Sequence, residues 1–169
     1  PDFDLWSCSA DVTSVVESGN LAGTYAVDDV TALLGDIDEH GASTSLALWL
    51  SNASFPTRTL SLFDGLETVA GGSTLTTLSG FDAAGAGAGA ELTVYALDGE
   101  VGVRSGEQVN LGAVPSGNGL GLIDPNNPLN DAFNSTITSV SPVRTGTTGM
   151  DLDLWDLSSL FDAGDTSVG

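Results

Sequence analysis

The sequence predicts an all-β fold: a β-sandwich of jelly-roll type with one or two short helical turns. Three observations lead there. Segments in which apolar and polar residues alternate recur along the chain, and period-two alternation marks a half-buried strand. Between them lie clusters of Gly, Pro, Asn and Asp, each of which turns the backbone by its own mechanism. The acids are 17 Asp against 6 Glu, a balance that suits turns and strand ends better than helix surfaces.

Taken in order, "ADVTSVVES" (10–18) predicts a helical turn, with Asp11 at its start and Val12, Val15 and Val16 as a narrow apolar stripe. "DDVTALLGD" (28–36) repeats that spacing through Val30, Leu33 and Leu34, with Gly35 suited to the helix end. Strands are expected over 24–30, 44–50, 57–65, 73–81, 90–97, 107–112, 135–140 and 150–157. In the last, "MDLDLWDL", Leu152 and Leu154 are expected to face the core, with Asp151 and Asp153 facing outward. "DAAGAGAGAE" (82–91) reads as a flexible loop and "DPNNPLND" (124–131) as a rigid polar one. No break in composition divides residues 1–169, so one domain is expected.

Charge narrows the function classes. The formal net charge is −20, the only basic side chains besides His40 are Arg58, Arg104 and Arg144, and there is no lysine. Phosphate affinity rests on Lys and Arg, so nucleic acid is not an expected partner. Anionic membrane surfaces are disfavoured for the same reason. The longest apolar run, Leu46–Leu50, is far too short for a transmembrane segment. Divalent cations or a saline medium are the natural counterweight to so many carboxylates.

The residues for catalysis are sparse. A nucleophile needs a base beside it, and the one histidine, His40, stands in the polar stretch "DIDEHGAS". Cys8 reads as a small buried apolar residue, and a lone cysteine forms no internal disulfide. Glycoside hydrolysis needs only two facing acids, but among 23 some pair will face each other by chance. No catalytic residue is therefore expected.

Calcium is the expected ion, because Asp, Asn and carbonyl oxygens are its preferred ligands. "DIDEHG" mimics the start of an EF-hand loop, but Ala47 falls where a bidentate Glu is required. The candidate ligands are two separate sets: Asp124, Asn126, Asn127 and Asp131 in the proline-bounded loop, and Asp151 with Asp153 on the last strand. Two sequons, at Asn52 and Asn134, are candidate glycosylation sites in a secreted chain. For sugar binding by aromatic stacking the candidates are Trp6 and Trp155, with Trp49 and Tyr95 expected in the core.

Several stretches together resemble a family of secreted bacterial and archaeal surface modules found in large extracellular proteins. The resemblance rests on "ADVTSVVESGNLAGTYAVDDV" (10–30), "LALWLSNASFPTRTLSLFDGLETV" (46–69) and "TLSGFDAAGAGAGAELTVYALDGE" (75–100), followed by "NDAFNSTITS" (130–139) and "GMDLDLWDL" (149–157). It departs from the pattern at Ser9 and Ala10, where a basic residue usually precedes D-V-T, and at the end, where such modules run on into a further strand. The resemblance implies an extracellular, cell-surface location, a β-sandwich and no catalytic site. It also implies an open edge that a strand from a neighbouring copy would complete. The expected function is a non-enzymatic structural or adhesive module that self-assembles into a homo-oligomer, filament or sheath. The alternative is a jelly-roll carbohydrate-binding module with glycans as partners.

Overall fold

The computed structural model describes residues 7–20, 22–30, 43–66, 74–83, 89–99, 106–112 and 120–168. Its contacts divide the chain into two compact units, Pro1–Arg58 with Asp64–Leu66, and Thr59–Phe63 with Glu67–Gly169.

The first unit holds the one described helix, α1, over Thr13–Ser18. Asp11 Oδ1 accepts the Thr13 amide at 2.9 Å, so the expected aspartate does organise the helix start, one residue before the N-cap Val12. Gly19 ends the helix, its amide reaching the carbonyls of Val15 and Val16. The second expected helix falls mainly on residues 31–35, outside the described residues. Residues 24–30, 44–50 and 57–65, expected as strands, lie in no strand. Alternation fixes which side chains share a face, but a strand exists only through hydrogen bonds to a neighbour. No described ladder supplies one to these segments. Cys8 and Trp49, both expected to be buried, are exposed.

The eight strands among the described residues all lie within the second unit, which makes the fold mainly β. They are β1 (Leu78–Ser79), β2 (Glu91–Gly99), β3 (Asn110–Leu111), β4 (Leu120–Gly121), β5 (Thr136–Ile137), β6 (Arg144–Thr145), β7 (Gly149–Asp156) and β8 (Ser167–Val168). A four-stranded sheet runs β2-β7-β5-β6, with two-stranded ladders β1-β8 and β3-β4 beside it. Most of the sheet is the antiparallel pair β2–β7, in register from Glu91↔Asp156 to Leu97↔Met150, with an irregularity before Gly99↔Gly149. On its other side β7 meets β5 in parallel at Ile137↔Leu152. The two longest strands match the two clearest alternating segments of the sequence.

One face of the β2–β7 pair is closed and the other open. Leu92, Val94 and Ala96 stand opposite Trp155, Asp153 and Asp151 on the closed face. Trp155 and Leu157 join Leu111, Leu122, Phe161 and Val168 in the hydrophobic core, where Phe81 meets Phe161 edge to face at 5.5 Å. Met150, Leu152 and Leu154 occupy the more open face. This reverses the expected orientation of β7. The side chains buried are the two aspartates, and the leucines expected in the core are only half-buried. Trp155 explains the reversal. It shares the parity of Asp151 and Asp153, and docking the largest side chain of the strand in the core carries the acids inward with it.

Candidate functional site

The acids that β7 turns inward meet the loop that precedes β5. Asp151 and Asp153 are both 0% exposed, and Asp131 only 8%. The expected two sets of calcium ligands thus become one neighbourhood, because β5 pairs alongside β7 and the loop before it runs over the same face.

Asp151 is held by backbone. Its Oδ1 accepts the amides of Asn134 at 3.0 Å and Thr136 at 2.9 Å. Ser135, between them, has φ of +59°, a left-handed turn that aims flanking amides at one acceptor in the manner of an anion nest. Ser135 Oγ in turn accepts the Gly149 amide at 2.9 Å, tying the turn to the start of β7. Asp153 is held by side chains instead. Its Oδ1 lies 3.3 Å from Thr136 Oγ1 and 3.2 Å from Thr138 Oγ1, the alternate residues of the parallel neighbour. Thr136 Oγ1 also lies 3.0 Å from Asn127 Oδ1 and has one proton to share between the two acceptors.

The loop 124–134 forms a second layer around these carboxylates. Asp124 Oδ1 accepts the amides of Asn126 (2.7 Å) and Asn127 (3.1 Å), and its Oδ2 accepts Asn127 Nδ2 at 3.0 Å. Asn127, fully buried, therefore bridges Asp124 to Thr136. Asn134 Nδ2 donates to the carbonyls of Asn126 (2.7 Å) and Asp131 (2.8 Å). That nitrogen is the one a glycan would occupy, so glycosylation at Asn134 would remove at least one of the two bonds. Asn52, by contrast, is exposed, and its side-chain oxygen accepts the Ser54 amide and hydroxyl.

The charges in this pocket are poorly compensated. Burial pushes Asp153 up to about 6; the Asn127, Thr138 and Thr136 side chains oppose the shift and the charge of Asp151 adds to it. Burial also raises Asp151, against the amides of Thr136, Asn134 and Ser135 and with the charge of Asp131. Asp151 therefore lies within electrostatic reach of both Asp131 and Asp153. Each keeps a buried oxygen with no hydrogen-bond partner: Asp131 Oδ1, Asp151 Oδ2 and Asp153 Oδ2, joined by Asn134 Oδ1. Among the described residues no three acidic, histidine or cysteine side chains stand converged enough to grip an ion as they are.

Of the six expected calcium ligands, the fold gathers Asp131, Asp151 and Asp153 and uses Asn127 as a bridge from Asp124 to Thr136. It gives Asp124 the task of shaping the loop and leaves Asn126 exposed, its carbonyl holding Asn134. Asn134, a sequon in the sequence, stands outside both expected ligand sets, although its place three residues after Asp131 is visible in the sequence. Trp155, expected as an exposed sugar platform, is only 3% exposed. Tyr95, expected in the core, stands on the open face of β2, and Trp6 lies outside the described residues. His40 also lies outside them. Comparison with protein families, with curated proteins and with solved structures finds no match to this chain.

Proposed function

We propose that the protein is a non-enzymatic, extracellular structural or adhesive module built on a β-sandwich, which associates with copies of itself at the cell surface. The observation that carries the structural reading is the closed burial of Asp151 and Asp153. A hydrolytic acid pair must reach its substrate across a cleft. These two instead fasten β7 to β5 and to the loop before it, which is the work of a scaffold.

Self-association draws on the row Leu46, Leu48 and Leu50, all exposed. Alternate residues of an extended chain share a face, and an apolar row of that kind is what an added strand covers. The proposed occupant is a second copy of this chain. The extracellular setting draws support from the acidic, lysine-free, Thr- and Gly-rich composition and from the resemblance to secreted surface modules. Of the two platforms expected for the carbohydrate-binding alternative, Trp155 is buried and Trp6 lies outside the described residues, while Trp49 is 59% exposed.

Sedimentation velocity over a range of concentrations, with negative-stain imaging of the same samples, tests the proposal. Concentration-dependent assembly, weakened by Leu48→Ser, is the expected result. A chain that stays monomeric throughout, in calcium-free and calcium-containing buffer alike, would overturn self-association, and hits in a glycan-array screen would favour the alternative.

A further inference from the structure

We propose that Asp131, Asp151 and Asp153, with the side-chain oxygen of Asn134, form a calcium site that locks the loop before β5 onto β7. The case begins with unmet valence. An ionised carboxylate offers about four acceptor positions. Asp151 uses Oδ1 for two amides while its Oδ2 is buried and unpartnered, and Asp153 repeats the division between hydroxyl-bonded Oδ1 and unpartnered Oδ2. Asp131 Oδ1 and Asn134 Oδ1 are buried and unpartnered as well.

A carboxylate oxygen with neither water nor a donor is costly to bury, and more so beside others of its charge. Among the described residues, those that act on Asp151 and Asp153 do so through burial, hydrogen bonds and carboxylate charge, and none is cationic. The chain has no lysine, and Arg144, on the neighbouring β6, is exposed. The missing partner must therefore be positive, small and satisfied by oxygen.

The donor set selects the ion. The four proposed ligand atoms are oxygens, three from carboxylates and one from an amide. Among the described residues, the other buried side-chain atoms without a hydrogen-bond partner are Glu107 Oε2, Ser139 Oγ and the Trp155 indole nitrogen, which is a donor and no ligand. The all-oxygen set suits calcium over zinc or copper. Calcium takes roughly six to eight oxygens in flexible geometry, so carbonyls of the loop or waters would complete its shell. Magnesium demands a near-ideal octahedron and keeps most of its water, which fits a closed pocket less well. The second layer is already in place. The amides of Asn134 and Thr136 orient Asp151, the threonine hydroxyls orient Asp153, and the side-chain nitrogen of Asn134 is anchored to two carbonyls so that its oxygen is the end left over. Among the described residues no three acidic side chains stand converged on one point, so binding requires the ion to draw these ligands together.

Calorimetric titration of the full chain with calcium chloride, in chelator-treated buffer, tests the site. Terbium luminescence excited through tryptophan gives a second readout, because Trp155 lies on the same face of β7 two residues from Asp153. The expected result is saturable binding of one ion per chain, weakened roughly ten-fold or more by Asp153→Asn and by Asp131→Asn. Asp156→Asn, which removes an exposed acid from the end of the same strand, is expected to leave binding unchanged. Asp131→Asn keeps the test decisive if Asp153→Asn misfolds, since the Asp131 carbonyl that receives Asn134 survives the change. Absence of saturable binding, or binding that falls equally in Asp156→Asn, would overturn the site and leave diffuse screening of surface acids. Self-association is scored separately, so failure of either proposal leaves the other standing.

Discussion

Replacing Asp151 by Ala asks what the carboxylate contributes to folding before any ion is considered. The side chain is 0% exposed, and its Oδ1 is the recorded acceptor for the amides of Asn134 at 3.0 Å and Thr136 at 2.9 Å. Alanine leaves both donors in a closed pocket without that acceptor. A buried unsatisfied donor costs about 1–3 kcal/mol, so the pair sets an expected loss of about 2–6 kcal/mol. Relief of repulsion with Asp131 and Asp153 opposes that loss. Asp151→Asn separates the two effects, since it keeps an acceptor oxygen and removes the charge. In calcium-free buffer Asp151→Asn should therefore lose far less stability than Asp151→Ala. Urea unfolding followed by far-UV circular dichroism measures both, and hydrogen exchange at the Asn134 and Thr136 amides localises the change. Against a typical total of about 5–15 kcal/mol, the alanine variant should unfold at visibly lower urea. If Asp151→Ala falls within about 0.5 kcal/mol of the parent, with exchange at those amides unaltered, the carboxylate does not hold the turn and the reasoning fails.

Three further outcomes are expected. Asp153, raised in the fold from an ordinary value of 3.8 to about 6, binds its proton more tightly folded than unfolded. Its share of stability is thus fully present below about pH 4 and lost as pH rises to about 6, roughly 3 kcal/mol in all. Asp151 acts in the same direction, while Asp11 and Asp156, lowered by hydrogen bonds from Thr13 and Ser158, act in the other. Urea midpoints across that range in calcium-free buffer should show the decline for the parent and a flatter profile for Asp153→Asn. Phe161→Ala removes the edge-to-face partner of Phe81 from the core and should cost about 3–5 kcal/mol in the same unfolding assay. Gly164→Ala places a side chain at φ of +91° and should cost about 1 kcal/mol, whereas Gly65→Ala, which meets nothing within 4 Å and has no such φ, should be near neutral.

The mainly-β character was legible because alternation and turn chemistry are local. "AELTVYAL" and "MDLDLWDL" became β2 and β7, and Asp11 organised the helix start where the sequence placed it. The same local patterns predicted strands at 24–30, 44–50 and 57–65 that are not formed. Alternation describes one chain, while a strand is a property of two. The short strands β4, β6 and β8 show the converse, since two residues carry too little pattern to be read before their partners are known.

The site was legible in its parts and not in its assembly. Composition alone determined that carboxylates would outnumber cations and that any ion held would be bound by oxygen. The sequence also contained Asp131, Asp151 and Asp153 as candidate ligands, but in two unrelated places. Only the parallel pairing of β5 with β7 brought those places together, because register between strands depends on contacts across more than a dozen residues. The fold likewise settled which face of β7 turned inward. "MDLDLWDL" offers leucines on one face and two acids with a tryptophan on the other, and alternation supports either choice. Packing of Trp155 against Leu111, Leu122 and Phe161 broke the tie and took the acids into the interior.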